Sequence, residues 1–215
     1  MSLTKRSPWP DGLAVGVMRV LGFSGSLRVA SINTALLRTA ARLAPPGFSL
    51  TLFGGVRELP LFNPDLETRL PPPVSALHRA VAGSDALLFA SPEYAHGVTG
   101  AIKNTLDWLV SFEPLVYKHV AVLNASPRAH HADAALRETL RTMSTILVEA
   151  ASISIPLLGS SLAEKDMADD PLVSPAVVGA LRALQDAVMK ARMLTTSGES
   201  ACRSRRWAKR PKRDC

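Results

Sequence analysis

The stretch Val20-Leu-Gly-Phe-Ser-Gly-Ser-Leu-Arg28, continuing through Val29-Ala-Ser-Ile-Asn33, joins an apolar run to a small, hydroxyl-rich loop and then to an amphipathic pattern. An open α/β sheet presents a phosphate site in this way. The first N–H groups of a helix have no partner inside it, and the helix N-terminus carries positive potential. Ser24, Ser26 and Ser31 supply hydroxyls there, Asn33 an amide, and Arg28 a fixed charge able to meet two phosphate oxygens. The stretch reads as a mononucleotide phosphate cradle. Two other phosphate loops are excluded by spacing: Gly22 and Gly25 lack the third glycine of G-x-G-x-x-G, and no lysine follows Gly25 as a P-loop requires. A plainer alternative stays open, in which Ser31 only caps the helix and the glycines only turn the chain.

The rest of the chain bounds that reading. Its 215 residues, 47% of them hydrophobic, suffice for one well-buried domain. The apolar runs are too short and interrupted to cross a bilayer, and Met1 to Gly16 lacks the apolar core of a secretory signal, so a cytoplasmic location is expected. Cys202 and Cys215 both lie near the C-terminus, leaving the body without a disulfide framework, thiolate ligands or a cysteine nucleophile. None of the five histidines forms a ligand-spaced set, and no metal site is expected. The net charge of +7 is local: seven Arg and Lys after Thr196, against Glu199 and Asp214, put +5 in the last 20 residues and leave +2 for the body. That basic end reads as a solvated, disordered tail rather than a nucleic-acid surface.

In chain order, residues 1–16, with Pro8, Pro10, Gly12 and Gly16, read as an extension outside a domain spanning 17–195, with the tail at 196–215. A near-continuous, β-branched run from Val17 to Phe23 suits a parallel strand buried on both faces. Ile32, Ala35, Leu36 and Leu43 form the stripe of a first helix, ended by Pro45-Pro46-Gly47. Phe48 to Phe53 alternates as an edge-side strand, and the proline-rich segment 54–73 is a long functional loop. A helix around Val74 to Val81 precedes a buried strand, Ala86 to Ala90. That strand opens into Ser91-Pro-Glu-Tyr94 and a helix facing inward through Val98, Ile102, Leu106 and Leu109. Val116 to Leu123 is a further strand ending in the loop Asn124-Ala-Ser-Pro-Arg128, followed by a helix over Ala134 to Ile146. Val148 to Leu158 holds the last strand, and Ala176 to Met193 the closing helix. This alternation predicts a doubly wound α/β fold with a five-stranded parallel sheet in flavodoxin-like order 2-1-3-4-5. Ligands bind such sheets outside the carboxyl ends of the strands, where three loops converge.

Gly25-Ser-Leu-Arg28 with Ser31 and Asn33, then Pro92-Glu-Tyr94 and Gly100-Ala-Ile-Lys-Asn-Thr-Leu-Asp-Trp108, resembles the NAD(P)H-dependent FMN reductase family, the flavodoxin-like group of quinone, chromate and azo-dye reductases. The likeness covers residues 17–193. It implies bound FMN, with NADPH or NADH as reductant. By position it implies that Ser24, Ser26, Arg28, Ser31 and Asn33 hold the FMN phosphate, and that Pro92, Glu93, Tyr94 and Ala95 border the flavin, joined by Ser126 and Arg128. It also implies a homodimer or homotetramer, built partly by the helix after Pro92-Glu-Tyr94. The chain departs from the family where Ala95 replaces the usual Asn, and where Pro127, Arg128, Ala129 and His130 replace a glycine-rich third loop.

The implied reaction is hydride transfer from NAD(P)H to FMN, followed by release of two electrons to a small-molecule acceptor such as a quinone, chromate or an azo compound. With no second nucleotide fingerprint, reductant and acceptor would take turns on one flavin face, in ping-pong fashion. The flavin carries this chemistry, so no protein residue is assigned as catalytic. The competing reading is a flavin-binding electron carrier or sensor without turnover. Arg57, Arg128 and the tail arginines are each able to meet a 2′-phosphate.

Overall fold

The computed structural model describes residues 16–157, 159 and 162–207, with side chains through 194. Most of the N-terminal extension, and the basic tail apart from helical backbone to Trp207, therefore lie outside the described residues.

The chain alternates as its sequence predicts. Strand β1 (Met18–Ser24) leads to α1 (Ile32–Arg42), β2 (Phe48–Leu52), α2 (Pro72–Ala82) and β3 (Ala86–Ala90). A short hairpin, β4 (Glu93–Tyr94) and β5 (Gly97–Val98), precedes α3 (Gly100–Asp107). Then come β6 (His119–Asn124), α4 (His130–Thr142), β7 (Ile146–Leu147), β8 (Ile153–Ser154) and α5 (Val173–Trp207). The main sheet runs β2-β1-β3-β6-β7, with β8 also on β6, and every pairing in it is parallel. This is the expected 2-1-3-4-5 order, with the last position shared by two short strands. Because a parallel sheet is covered on both faces, its strands carry two cores. Val20, Leu88 and Leu123 pack with Leu36, Leu181 and Leu184 of α1 and α5; Leu21, Phe89 and Val122 pack with Leu77, Ile102 and Leu136 of α2, α3 and α4. All five residues of β3 are buried, as befits the central strand.

Two local differences from the sequence reading have physical causes. Helix α4 starts earlier than Ala134 and stops at Thr142, because Ser144 takes a left-handed φ of 60° and turns the chain into β7. The last strand is broken by a single 3-10 turn at Glu149–Ala151. There the Ser152 hydroxyl accepts from Val122 N–H at 3.1 Å, standing in for the missing ladder bond to β6. The loop 54–73 is held against α3. Asn104 Nδ2 and Trp108 Nε1 both donate to Pro60 O, at 2.9 and 2.8 Å, and Phe62 N–H donates to Asn104 Oδ1 at 2.8 Å. Among the described residues no helix is long and apolar enough to cross a membrane.

Candidate functional site

The loops that follow β1, β3 and β6 meet at the carboxyl edge of the sheet around a cavity of about 390 Å³, within the ~300–1,000 Å³ range of small-molecule sites. The first loop contributes Ser26, Arg28, Ser31 and Asn33, the second Ser91, Pro92, Glu93 and Tyr94, and the third Asn124, Ser126 and Arg128. Nine of the eleven residues expected from the sequence therefore share one wall of space. Ser24 and Ala95 do not line it. Ser24 Oγ faces inward, 2.7 Å from Thr34 Oγ1 and 3.3 Å from Ser26 N–H, and shapes the loop from behind. Ala95 sits at the tip of the β4–β5 hairpin.

The first loop and the second are brought together at Gly25. Its N–H donates to Ala90 O at 2.8 Å, and a Cβ placed on it would stand 2.2 Å from Ser91 Oγ and 2.9 Å from Ile102 Cγ1. Gly25 is thus required by close approach, not by a left-handed turn. Ser31 caps α1, its hydroxyl accepting from Thr34 N–H at 3.3 Å. That cap leaves the N–H groups of Ile32 and Asn33 without an intramolecular partner among the described residues. Asn33 is 4% exposed, and its Oδ1 has no hydrogen-bond partner. A buried amide oxygen left unpaired is uncommon, and here it lies beside the open start of α1. The plain reading of Ser31 as a cap and the phosphate reading of the loop are both compatible with this arrangement.

The third loop is built differently. Asn124 at the end of β6 accepts from Ser126 N–H at 2.9 Å and donates to Ala129 O at 3.3 Å, while Ala129 N–H returns to Ser126 O at 2.9 Å. Helix α4 has Ala129 at its cap position and hence no capping side chain of its own. Glu93 reaches over from β4 instead, with Oε2 accepting from Ala132 N–H at 2.9 Å. That bond, with help from nearby His131 and His96, holds the Glu93 carboxyl below its usual range. The rings of His96 and His131 stack at 4.3 Å over the same junction. Sequence reasoning missed these roles of Asn124 and Glu93, and nothing local in the sequence signals a carboxylate capping a helix 39 residues away.

The charged side chains lining the cavity are Arg28, Glu93 and Arg128. Among the described residues neither guanidinium has a hydrogen bond or ion pair, while Arg57 Nη2 donates to Leu27 O at 2.7 Å and braces the first loop. The donor set suits an anionic, partly planar ligand: an open helix N-terminus, hydroxyls and Arg28 on the first loop, and Pro92, Tyr94 and Arg128 on the other two. No cluster of His, Cys, Asp or Glu among the described residues is arranged to hold a metal ion.

Fold and site together define a doubly wound α/β protein with a nucleotide-type site at its switch edge. The chain belongs to the NADPH-dependent FMN reductase family, whose pattern matches residues 18–157. It is 41% identical over 112 residues to an NAD(P)H-dependent FMN reductase of Pseudomonas aeruginosa, covering 51% of this chain and 60% of that one. It is 31% identical over 113 residues to a quinone reductase of Escherichia coli K12, with the same coverages of 51% and 60%. The matched stretch thus spans less than two thirds of these curated relatives. Among solved structures it resembles FerB, a flavoenzyme NAD(P)H:(acceptor) oxidoreductase from Paracoccus denitrificans, with a TM-score of 0.68 and 28% identity over 81% of this chain and 98% of that chain.

Proposed function

We propose that this chain binds FMN and passes electrons from NADPH or NADH to a small-molecule acceptor such as a quinone, chromate or an azo compound, by a ping-pong mechanism. The observation that carries the reading is the open N-terminus of α1, whose Ile32 and Asn33 N–H groups have no partner among the described residues, at a cavity lined by Ser26, Arg28, Ser31 and Asn33. Ser26, Arg28, Ser31 and Asn33 would hold the phosphate, and Pro92, Glu93, Tyr94, Ser126 and Arg128 would border the ring. When bound, the flavin supplies hydride and electron chemistry, and the protein fixes its phosphate and keeps one ring face open. The chain's own part is positional: Glu93 is committed to α4, so it orients the second loop rather than moving a proton. The names of the relatives support the reductase reading; cytoplasmic action as a homodimer or homotetramer is part of the same proposal.

The test begins with the purified full-length protein, soaked in excess FMN and passed through gel filtration. A yellow protein fraction is expected. Anaerobic NADPH should then bleach the absorption near ~450 nm within seconds. A yellow protein that stays oxidised would point to an electron carrier or sensor instead, and a colourless one would end the proposal. Light scattering on the same fraction reads the assembly state.

A further inference from the structure

Resting on the FMN reading above, we propose that Arg128 biases the bound flavin toward its reduced state, by offering a free guanidinium to the ring end of the cavity. Three observations support this. First, the cradle lies at the start of α1, after β1, while Arg128 follows β6, with β3 between them. At ~4.8 Å per strand, that places the third loop ~10 Å from the phosphate end, beyond the reach of a side chain already committed to phosphate. Second, the loop carrying Arg128 is fixed through its backbone, by the Asn124 bonds and the Ser126–Ala129 turn, whereas its guanidinium has no partner among the described residues. The cation is held on a rigid base and left unspent.

Third, the opposing charge is already engaged. Glu93 is the carboxylate that lines the cavity, and its Oε2 is bonded to the start of α4 beside His96 and His131. Asp133, the next carboxylate along α4, pairs with Arg137 at 2.7 Å. Arg128 is therefore the cation of the third loop that is left for the ring, beside a Glu93 carboxylate turned onto the start of α4.

Hydride transfer breaks one C–H bond of the dihydronicotinamide and forms one N–H bond on the flavin. It releases NAD(P)⁺ and leaves the ring with one negative charge. A nearby cation stabilises that product over the neutral oxidised ring, and so binds reduced FMN more tightly than oxidised FMN.

The experiment compares FMN-loaded wild type, R128Q and R128K by three readouts: the dissociation constant of oxidised FMN, the midpoint potential against a reference dye under anaerobic conditions, and the KM for NADPH. In R128Q, reduced FMN should lose about tenfold more affinity than oxidised FMN, which converts to a potential about 30 mV lower for a two-electron couple. R128K, which keeps the charge, should recover most of that shift. If R128Q binds FMN with an unchanged potential, the proposal is overturned while the flavin reading stands. The same holds if affinity falls equally for both redox states, or if only the KM for NADPH rises, which would assign Arg128 to the 2′-phosphate. If wild type retains no FMN, both fail together.

Discussion

Helices α1 and α4 begin at the same edge of the sheet, each straight after a strand-end loop, yet their N-termini are filled in opposite ways. At α1 the cap is internal: Ser31 satisfies Thr34 N–H, and the groups ahead of it remain open beside Arg28 and Asn33. At α4 the cap position is Ala129, and the helix takes its anion from elsewhere in the chain, the Glu93 carboxylate. Both termini carry the same partial positive charge. One has been neutralised by the protein, and the other is free for a ligand. On the proposed function, the contrast favours the first loop as the phosphate end and the third as the loop that meets the ring.

The sharpest way to break this comparison is to disturb the packing that keeps the first loop in place. Gly25→Ala puts a methyl group against Ser91 Oγ and Ile102, so the first and second loops must part. Overpacking of this kind costs ~1–3 kcal/mol, and a G25A protein should melt at lower denaturant and lose FMN retention. Next in size is Arg28→Gln. Removing a charge-assisted contact to phosphate should weaken FMN by roughly 2 kcal/mol, or about 30-fold in Kd, with stability unchanged. If R28Q binds FMN like wild type, the open terminus of α1 is not the phosphate end.

How far the sequence shows this architecture depends on whether each cause is local. The strands were readable because both their faces are buried, which leaves unbroken runs such as Ala86 to Ala90. Helix α1 was readable because its stripe and its cap, Ser31, lie within a few residues of each other. Ser26, Arg28, Ser31 and Asn33 were legible as a set for the same reason, and the second loop through its likeness to a family motif. What was hidden depends on distant partners: the Glu93 cap on α4, the Asn104 and Trp108 grip on Pro60, and the Ser152 hydroxyl that replaces a ladder bond and so splits the last strand. The β4–β5 hairpin was hidden for a different reason. Its turn is Ala95-His96, at φ 49° and 60°, whereas two-residue turns of this hand are normally announced by Asn-Gly.

That turn gives a smaller test, on the side of the comparison where the protein supplies its own anion. Ala95 does not reach the cavity, so its departure from the family's Asn bears on the backbone rather than on a hydrogen bond to the ring. Non-glycine residues with positive φ are disfavoured by ~1 kcal/mol. Ala95→Gly should therefore stabilise the protein by up to that amount in urea titration, and leave the Kd for FMN within twofold. A drop in stability would mean that the hairpin is held from outside by more than the contacts around Glu93 and His96.

The smallest expected effect, and the most direct reading of the α4 terminus, is the pH dependence of Glu93. The folded state holds this carboxyl below its ordinary value, chiefly through the Ala132 N–H bond. Folding therefore favours the charged form, and the stabilisation is complete above the ordinary value and fades as pH falls through the lowered one. Glu93→Gln keeps the size of the side chain but removes the charge. Wild type should thus melt a little higher than E93Q at neutral pH, and the two curves should converge as pH falls through the lowered value at which folded Glu93 takes up its proton. The exposed site and its screening by salt keep the difference small. A difference that persists unchanged at low pH would mean that Glu93 serves by shape, as an acceptor that glutamine replaces poorly. The α4 terminus would then be closed by packing rather than by charge, and its contrast with α1 would no longer explain where the phosphate goes.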